Sequence, residues 1–280
     1  MNVAVIGAGT MGSGIAQTSA LAGHDVVLCD VAPGALERAG HVIRSSLERL
    51  VRKEVVSQGE ADEARARITM KGALEGLDEA GVVIEAVYES PEVKREVWQR
   101  LSGATSEGAL LATNTSSLSV TEIATFSGRP ERFCGMHFFN PVPVMALVEV
   151  VRGLRSSDEA VEQARAFAEG IGKTPIVCED KPGFIVNRLL IPYLNDAVHA
   201  LSEGVASAED IDRAMKLGAN MPIGPLALSD LVGLDVGLAA TEALFREFGD
   251  PKYRPAPLMR QMVRAGKLGR KSGEGFFRYD

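Results

Sequence analysis

An apolar, β-branched run, Val3-Ala4-Val5-Ile6, leads straight into Gly7-Ala8-Gly9-Thr10-Met11-Gly12, and no other junction constrains this chain as tightly. A strand, a G-x-G-x-x-G turn and a helical stretch over residues 15–22 predict a βα unit whose three glycines do different things. Gly7 permits the tight strand-to-helix turn, Gly9 lets the backbone approach a pyrophosphate, and Gly12 lets the helix pack on the strand. The helix N-terminus adds unpaired N–H groups and a partial positive charge, which suit a diphosphate. A second apolar run, Val26-Val27-Leu28-Cys29, ends on Asp30, where a carboxylate can accept hydrogen bonds from an adenosine ribose. Glycine-rich turns also occur as purely structural connections. Strand, helix, second strand and terminal acid in this order favour a dinucleotide site.

Charge selects among dinucleotides. A ribose 2′-phosphate beside Asp30 would meet like charge, and Val31-Ala32-Pro33-Gly34 brings no Arg or Lys to offset it. NAD is therefore preferred over NADP; FAD shares the fingerprint, so the chain beyond the motif has to arbitrate. The net charge of −7 argues against a nucleic-acid partner, since no broad basic surface is implied. Cys29, Cys134 and Cys178 are odd in number and widely spaced, which reads as thiols in a reducing compartment, with neither a disulfide frame nor a metal site. The first strand starts almost at the N-terminus and no apolar stretch reaches membrane-spanning length, so the expectation is a cytoplasmic protein with no membrane association.

At 280 residues, 46% hydrophobic and 24% charged, the chain has material for two domains. Up to about residue 180, short apolar runs alternate with helical segments, the pattern of an α/β Rossmann-type, mostly parallel sheet. The runs are 3–6, 26–29, 82–87, 109–113, 132–138, 146–150 and 175–178, and an insertion over 35–74 reads as two helices. Residues 158–171 form an amphipathic helix closed by Gly172. Beyond Pro182-Gly183 the pattern is all helical until the last few residues: 184–202, a helix opened by Ser207 as N-cap, 227–248 and 258–265. The expected division is 1–182 for dinucleotide binding and 183–280 for an all-helical domain. The latter is apolar on more than one face, which hints at a homodimer.

Several residues could carry chemistry. His137 ends a predicted strand in Gly135-Met136-His137-Phe138-Phe139-Asn140-Pro141, and Glu149 lies in the next strand. A His paired with a carboxylate makes a general base, because the carboxylate fixes the tautomer and stabilises the imidazolium; a core His bonded to a backbone carbonyl is the structural alternative. Asn114-Thr115-Ser116-Ser117 comes after another strand and could bond a carbonyl or a ribose, or could simply lead into a helix capped by Ser119 or Thr121. Asn187 is a polar oddity in an apolar helix. Arg49 and Lys53 share a helix face, which suits a multiply charged phosphate but equally a solvated basic helix end.

Together, Gly7-Ala8-Gly9-Thr10-Met11-Gly12-Ser13-Gly14-Ile15-Ala16, Thr113-Asn114-Thr115-Ser116-Ser117-Leu118, Met136-His137-Phe138-Phe139-Asn140-Pro141, Pro182-Gly183-Phe184-Ile185-Val186-Asn187-Arg188 and Leu268-Gly269-Arg270-Lys271-Ser272-Gly273 resemble the L-3-hydroxyacyl-CoA dehydrogenases, in particular the stand-alone bacterial 3-hydroxybutyryl-CoA type. The resemblance implies NAD-dependent interconversion of (S)-3-hydroxyacyl-CoA and 3-oxoacyl-CoA, short chains preferred. It implies His137 as the general base, Glu149 as its orienting carboxylate, and Ser116 and Asn187 as hydrogen-bonding groups around the substrate oxygens. Asp30 matches the ribose ligand, Glu89, Lys94 and Asn114 match positions lining the cofactor cleft, and Arg49 and Lys53 match basic positions near the CoA phosphates. Asn220 falls in a loop bordering the acyl end. Met221 stands where the family commonly has His, and Cys29 where many relatives carry Arg. Two other readings stay open: a sister dehydrogenase of a free 3-hydroxy acid, such as a sugar acid or carnitine, and a non-catalytic crystallin-like protein.

Overall fold

A computed structural model describes residues 1–279, and the chain divides in sequence between Lys181 and Pro182 into two compact units. The first is built on one eight-stranded sheet. Its strands are β1 (Asn2–Ile6), β2 (Asp25–Cys29), β3 (Ile68–Lys71), β4 (Val82–Glu85), β5 (Leu110–Thr113), β6 (Phe133–Phe138), β7 (Leu147–Arg152) and β8 (Thr174–Glu179). Helices α1 (Thr10–Leu21), α2 (Ala35–Arg52), α3 (Gln58–Ala66), α4 (Pro91–Leu101), α5 (Val120–Phe126) and α6 (Asp158–Gly170) connect them. The spatial order is β3-β2-β1-β4-β5-β6-β7-β8, and every neighbouring pair is parallel except β6 with β7. The central strands β1, β4 and β5 are short, nearly continuous apolar runs because they are buried on both faces. The strand order reverses between β1 and β4, and ligands of open α/β sheets bind at the carboxyl ends of strands at such a reversal.

The insertion 35–74 holds more than two helices. β3 pairs parallel with β2 at the sheet edge, and its four residues, Ile68-Thr69-Met70-Lys71, are at most half-buried. An edge strand this short has no apolar run for sequence patterning to detect. α2 buries Ala35, Ala39, Ile43 and Leu47, four residues apart in turn, and so turns Arg49 outward.

The second unit holds α7 (Val186–Ser202), α8 (Ala208–Gly218), α9 (Pro225–Val232), α10 (Leu234–Phe248) and α11 (Pro257–Arg264). The stretch expected as one helix over 227–248 is two, broken at Gly233, whose φ of 100° no helix accommodates. The tail forms isolated bridges, Gly269 to Glu274 and Glu274 to Arg278. Buried Asp230 of α9 holds this tail by accepting hydrogen bonds from the Phe276 and Phe277 N–H groups and the Tyr279 hydroxyl, each at 2.9 Å. Among the described residues no helix is long and apolar enough to cross a membrane.

Candidate active site

The connection from β6 to β7, residues 139–146, is too short for the crossover that a parallel pair requires, so β7 returns antiparallel. In that register His137 lies directly opposite Glu149, which puts both side chains on one face of the sheet. His137 Nδ1 sits 2.6 Å from Glu149 Oε2. Glu149 is fully buried and His137 is 6% exposed. A carboxylate can only accept, so the proton of a neutral His137 ring sits on Nδ1 and Nε2 carries the lone pair. The loop after His137 is itself pinned. The Lys173 ammonium donates to the carbonyls of Val142 and Met145, at 2.6 and 2.9 Å, and burial lowers the pKa of that amine. Val142 packs where α1 has no side chain, since a Cβ on Gly14 would lie 2.8 Å from the Val142 Cβ.

The turn after β5 is built around a different carboxylate. Glu89 Oε1 accepts from the Thr115 hydroxyl at 2.6 Å and from the N–H groups of Ser116 and Ser117 at 2.9 and 3.1 Å. Burial pushes the Glu89 carboxyl up, but Lys94 and these donors together hold it below its ordinary value. The side chain of Asn114 accepts from the Phe138 N–H at 3.0 Å, tying this turn to the residue after His137. Ser116 is exposed at the crest of the turn. Ser119, not Thr121, caps α5, assisted by Asp180, which accepts from the Ser119 hydroxyl and from the N–H groups of Val120 and Thr121.

The glycine-rich turn is crowded at two of its glycines and open at the third. A Cβ on Gly7 would lie 2.5 Å from the Ala86 carbonyl oxygen, and one on Gly12 would lie 1.7 Å from the Gly7 carbonyl oxygen. A Cβ on Gly9 would meet nothing within 4 Å, and α1 begins there without a side-chain cap, so its first N–H groups face outward. Asp30 closes the turn from the end of β2: one carboxylate oxygen accepts from the Ala8 N–H at 2.7 Å, the other from the Ala32 N–H at 2.8 Å. An uncapped helix N-terminus beside a side-chain-free cradle and an anchored carboxylate fits the diphosphate and ribose of a dinucleotide.

The other expected residues lie on other elements. Lys94 is wholly buried, 2.6 Å from Glu85 and 3.5 Å from Glu89. Arg49 and Lys53 are exposed at the C-terminal end of α2, where Arg49 donates to Ser45 at 3.1 Å. In the second unit, Asn187 is the second residue of α7 and half-buried, and exposed Asn220 adopts φ 53° between α8 and α9. Sequence reading missed Glu85, Thr113 and Lys173. The only signal was an acid closing the otherwise apolar Val82-Val83-Ile84. It also passed over Arg38, whose guanidinium lies at the carbonyl of Pro33, 3.5 Å away, although Arg38 itself is one helical turn beyond Gly34 in the chain.

Residues 2–181 match the family described as 3-hydroxyacyl-CoA dehydrogenase, NAD binding domain, and residues 183–279 match the 3-hydroxyacyl-CoA dehydrogenase C-terminal domain. The chain is 48% identical to a probable 3-hydroxybutyryl-CoA dehydrogenase of Deinococcus radiodurans, with the whole of both chains covered. It is 47% identical to a 3-hydroxybutyryl-CoA dehydrogenase of Clostridioides difficile, again over the whole of both. Its fold superposes on the (S)-3-hydroxybutyryl-CoA dehydrogenase of Ralstonia eutropha with a TM-score of 0.97 at 48% identity, covering 100% of this chain and 99% of the other.

Proposed function

The chain belongs to the 3-hydroxyacyl-CoA dehydrogenase family, and from that premise we propose how its residues divide the work. It is an NAD-dependent oxidoreductase that interconverts (S)-3-hydroxyacyl-CoA and 3-oxoacyl-CoA, with 3-hydroxybutyryl-CoA as the short-chain substrate. The observation that carries the mechanism is the His137–Glu149 pair in register across β6 and β7.

In the oxidative direction His137 Nε2 accepts the proton of the 3-hydroxyl, and in the reductive direction the imidazolium returns it. Glu149 keeps Nδ1 protonated and offsets the charge that develops on the ring. Bound NAD supplies the hydride acceptor. The N–H groups of Thr10 and Met11, reached past Gly7, Gly9 and Gly12, hold its diphosphate, and Asp30 takes the adenosine ribose. Glu89 and Asn114 line the cofactor cleft, with Lys94 behind Glu89. Ser116 and Asn187 hydrogen-bond the substrate oxygens, Arg49 and Lys53 meet the CoA phosphates, and Asn220 borders the acyl end.

Residues 1–182 are assigned to dinucleotide binding and 183–280 to substrate binding and dimerisation. A homodimer is supported by apolar side chains that the second unit leaves exposed, among them Leu189, Leu217, Leu231 and Val236. A cytoplasmic location accords with chemistry that needs pools of NAD and acyl-CoA.

The test is loss of NADH absorbance with acetoacetyl-CoA, run beside NADPH and beside free acetoacetate. Rapid loss with NADH and the CoA ester alone is expected. Turnover of the free acid would move the reading to a sister dehydrogenase. NADH binding without turnover would favour a non-catalytic role.

A further inference from the structure

Glu85 closes β4 and is fully buried, as is its partner Lys94 on α4. The Glu85 carboxylate is saturated. Oε1 lies 2.6 Å from Lys94 Nζ and accepts from the Val87 N–H at 2.9 Å. Oε2 accepts from the Thr113 hydroxyl at 2.7 Å and the Trp98 indole N–H at 3.3 Å. Its backbone carbonyl accepts from the Asn114 N–H at 2.7 Å. A buried ion pair carries a desolvation cost that well-packed apolar residues would avoid, so packing alone does not explain it. Its connections lead outward to the site: Lys94 reaches Glu89 at 3.5 Å, and Glu89 holds the turn that presents Ser116.

We propose that Glu85 is a positioning residue for Ser116: by taking the short ion pair with Lys94, it leaves the Glu89 carboxylate to the Thr115–Ser117 turn. The physical basis is competition. A buried ammonium needs a carboxylate, and two stand near it. With Glu85 present, Lys94 is neutralised from below and reaches only Glu89 Oε2, at 3.5 Å, so the carboxylate keeps the orientation in which Oε1 accepts from three successive residues of the turn. Without Glu85, Lys94 draws Glu89 inward, and the N–H groups that set the height of Ser116 lose their acceptor. The inference rests on the assignment of Ser116 to the substrate oxygens.

A double-mutant cycle separates positioning from mere stability. Glu85→Gln leaves Lys94 without its short ion pair and free to draw on Glu89, Lys94→Met in the same background removes that draw, and Tm is measured alongside turnover of acetoacetyl-CoA. Glu85→Gln alone should lower kcat about tenfold, a misplacement effect, and adding Lys94→Met should recover most of that loss. Adding Ser116→Ala to Glu85→Gln should cost within about threefold of nothing further, because both changes remove the same interaction. Losses that multiply, a Glu85→Gln enzyme with wild-type kcat, or a loss that Lys94→Met does not relieve would overturn the inference while leaving the reaction assignment intact. A Ser116→Ala enzyme with wild-type kcat would overturn the assignment of Ser116 and the inference with it. Should Glu85→Gln not fold, Thr113→Val removes one bond to Glu85 at constant volume. A loss of about threefold that disappears in the Ser116→Ala background is then expected, and a loss that persists there refutes the inference.

Discussion

Glu149→Gln is the most direct perturbation of the proposed chemistry. The amide keeps the shape of the side chain and an oxygen able to accept from Nδ1, but it removes the negative charge 2.6 Å from the ring in a fully buried position. With charge centres about 4 Å apart and an effective dielectric near 20, the lost attraction to an imidazolium is about 4 kcal/mol. At about 1.4 kcal/mol per decade that amounts to roughly three decades of rate. Proton transfer is incomplete in the transition state and the amide dipole restores part of the interaction. The expected fall in kcat is therefore about 100- to 1000-fold, in both directions of the reaction. NADH affinity, measured by fluorescence titration, should stay within about twofold, because the pair does not carry cofactor binding in this scheme. Tm should hold or rise, since a buried charge has been removed without leaving its partner charged. A kcat within threefold of wild type, with the protein folded, would refute the claim that this carboxylate stabilises a proton-accepting His137.

The geometry sets three further outcomes. Gly12→Ala should abolish NADH binding, because its Cβ would fall 1.7 Å from the Gly7 carbonyl oxygen and only a backbone shift relieves that contact; wild-type affinity by fluorescence would refute the packing argument. Arg49→Glu with Lys53→Glu should raise KM for acetoacetyl-CoA about tenfold while leaving KM for NADH unchanged, and the effect should shrink with added salt; a salt-independent change would remove these residues from the phosphate site. The Glu89 carboxyl is held below its ordinary 4.5, so the stability it contributes is complete above that value and lost as pH falls through the lower folded value. Urea midpoints of wild type and Glu89→Gln should therefore converge as pH falls below the ordinary carboxylate value, with Lys94 and Glu85 as the charged neighbours; parallel curves would refute the pairing.

The dinucleotide turn could be read from the amino-acid order alone because its parts are local. Gly7, Gly9 and Gly12 act within one turn of chain, and the spacing from strand to helix to Asp30 is a property of a single βαβ unit. The helical character of the second unit was legible for the same reason, as a 3.6-residue rhythm with Ser207 as a cap. Family likeness then attached roles to His137, Glu149 and Ser116 that spacing could not. What tertiary structure decided was every relation between segments far apart in the chain. Only the register of an antiparallel pair determines that residue 149, and not 148 or 150, faces His137, since a one-residue slip would turn it to the other side of the sheet. Only the order of β4, β5 and α4 in space shows that buried Glu85, Lys94 and Thr113 join half-buried Glu89 in one network, because each alone resembles an ordinary surface polar residue. Short-range steric rules are written residue by residue; the partner of a buried charge is chosen by packing, which no local stretch of sequence contains.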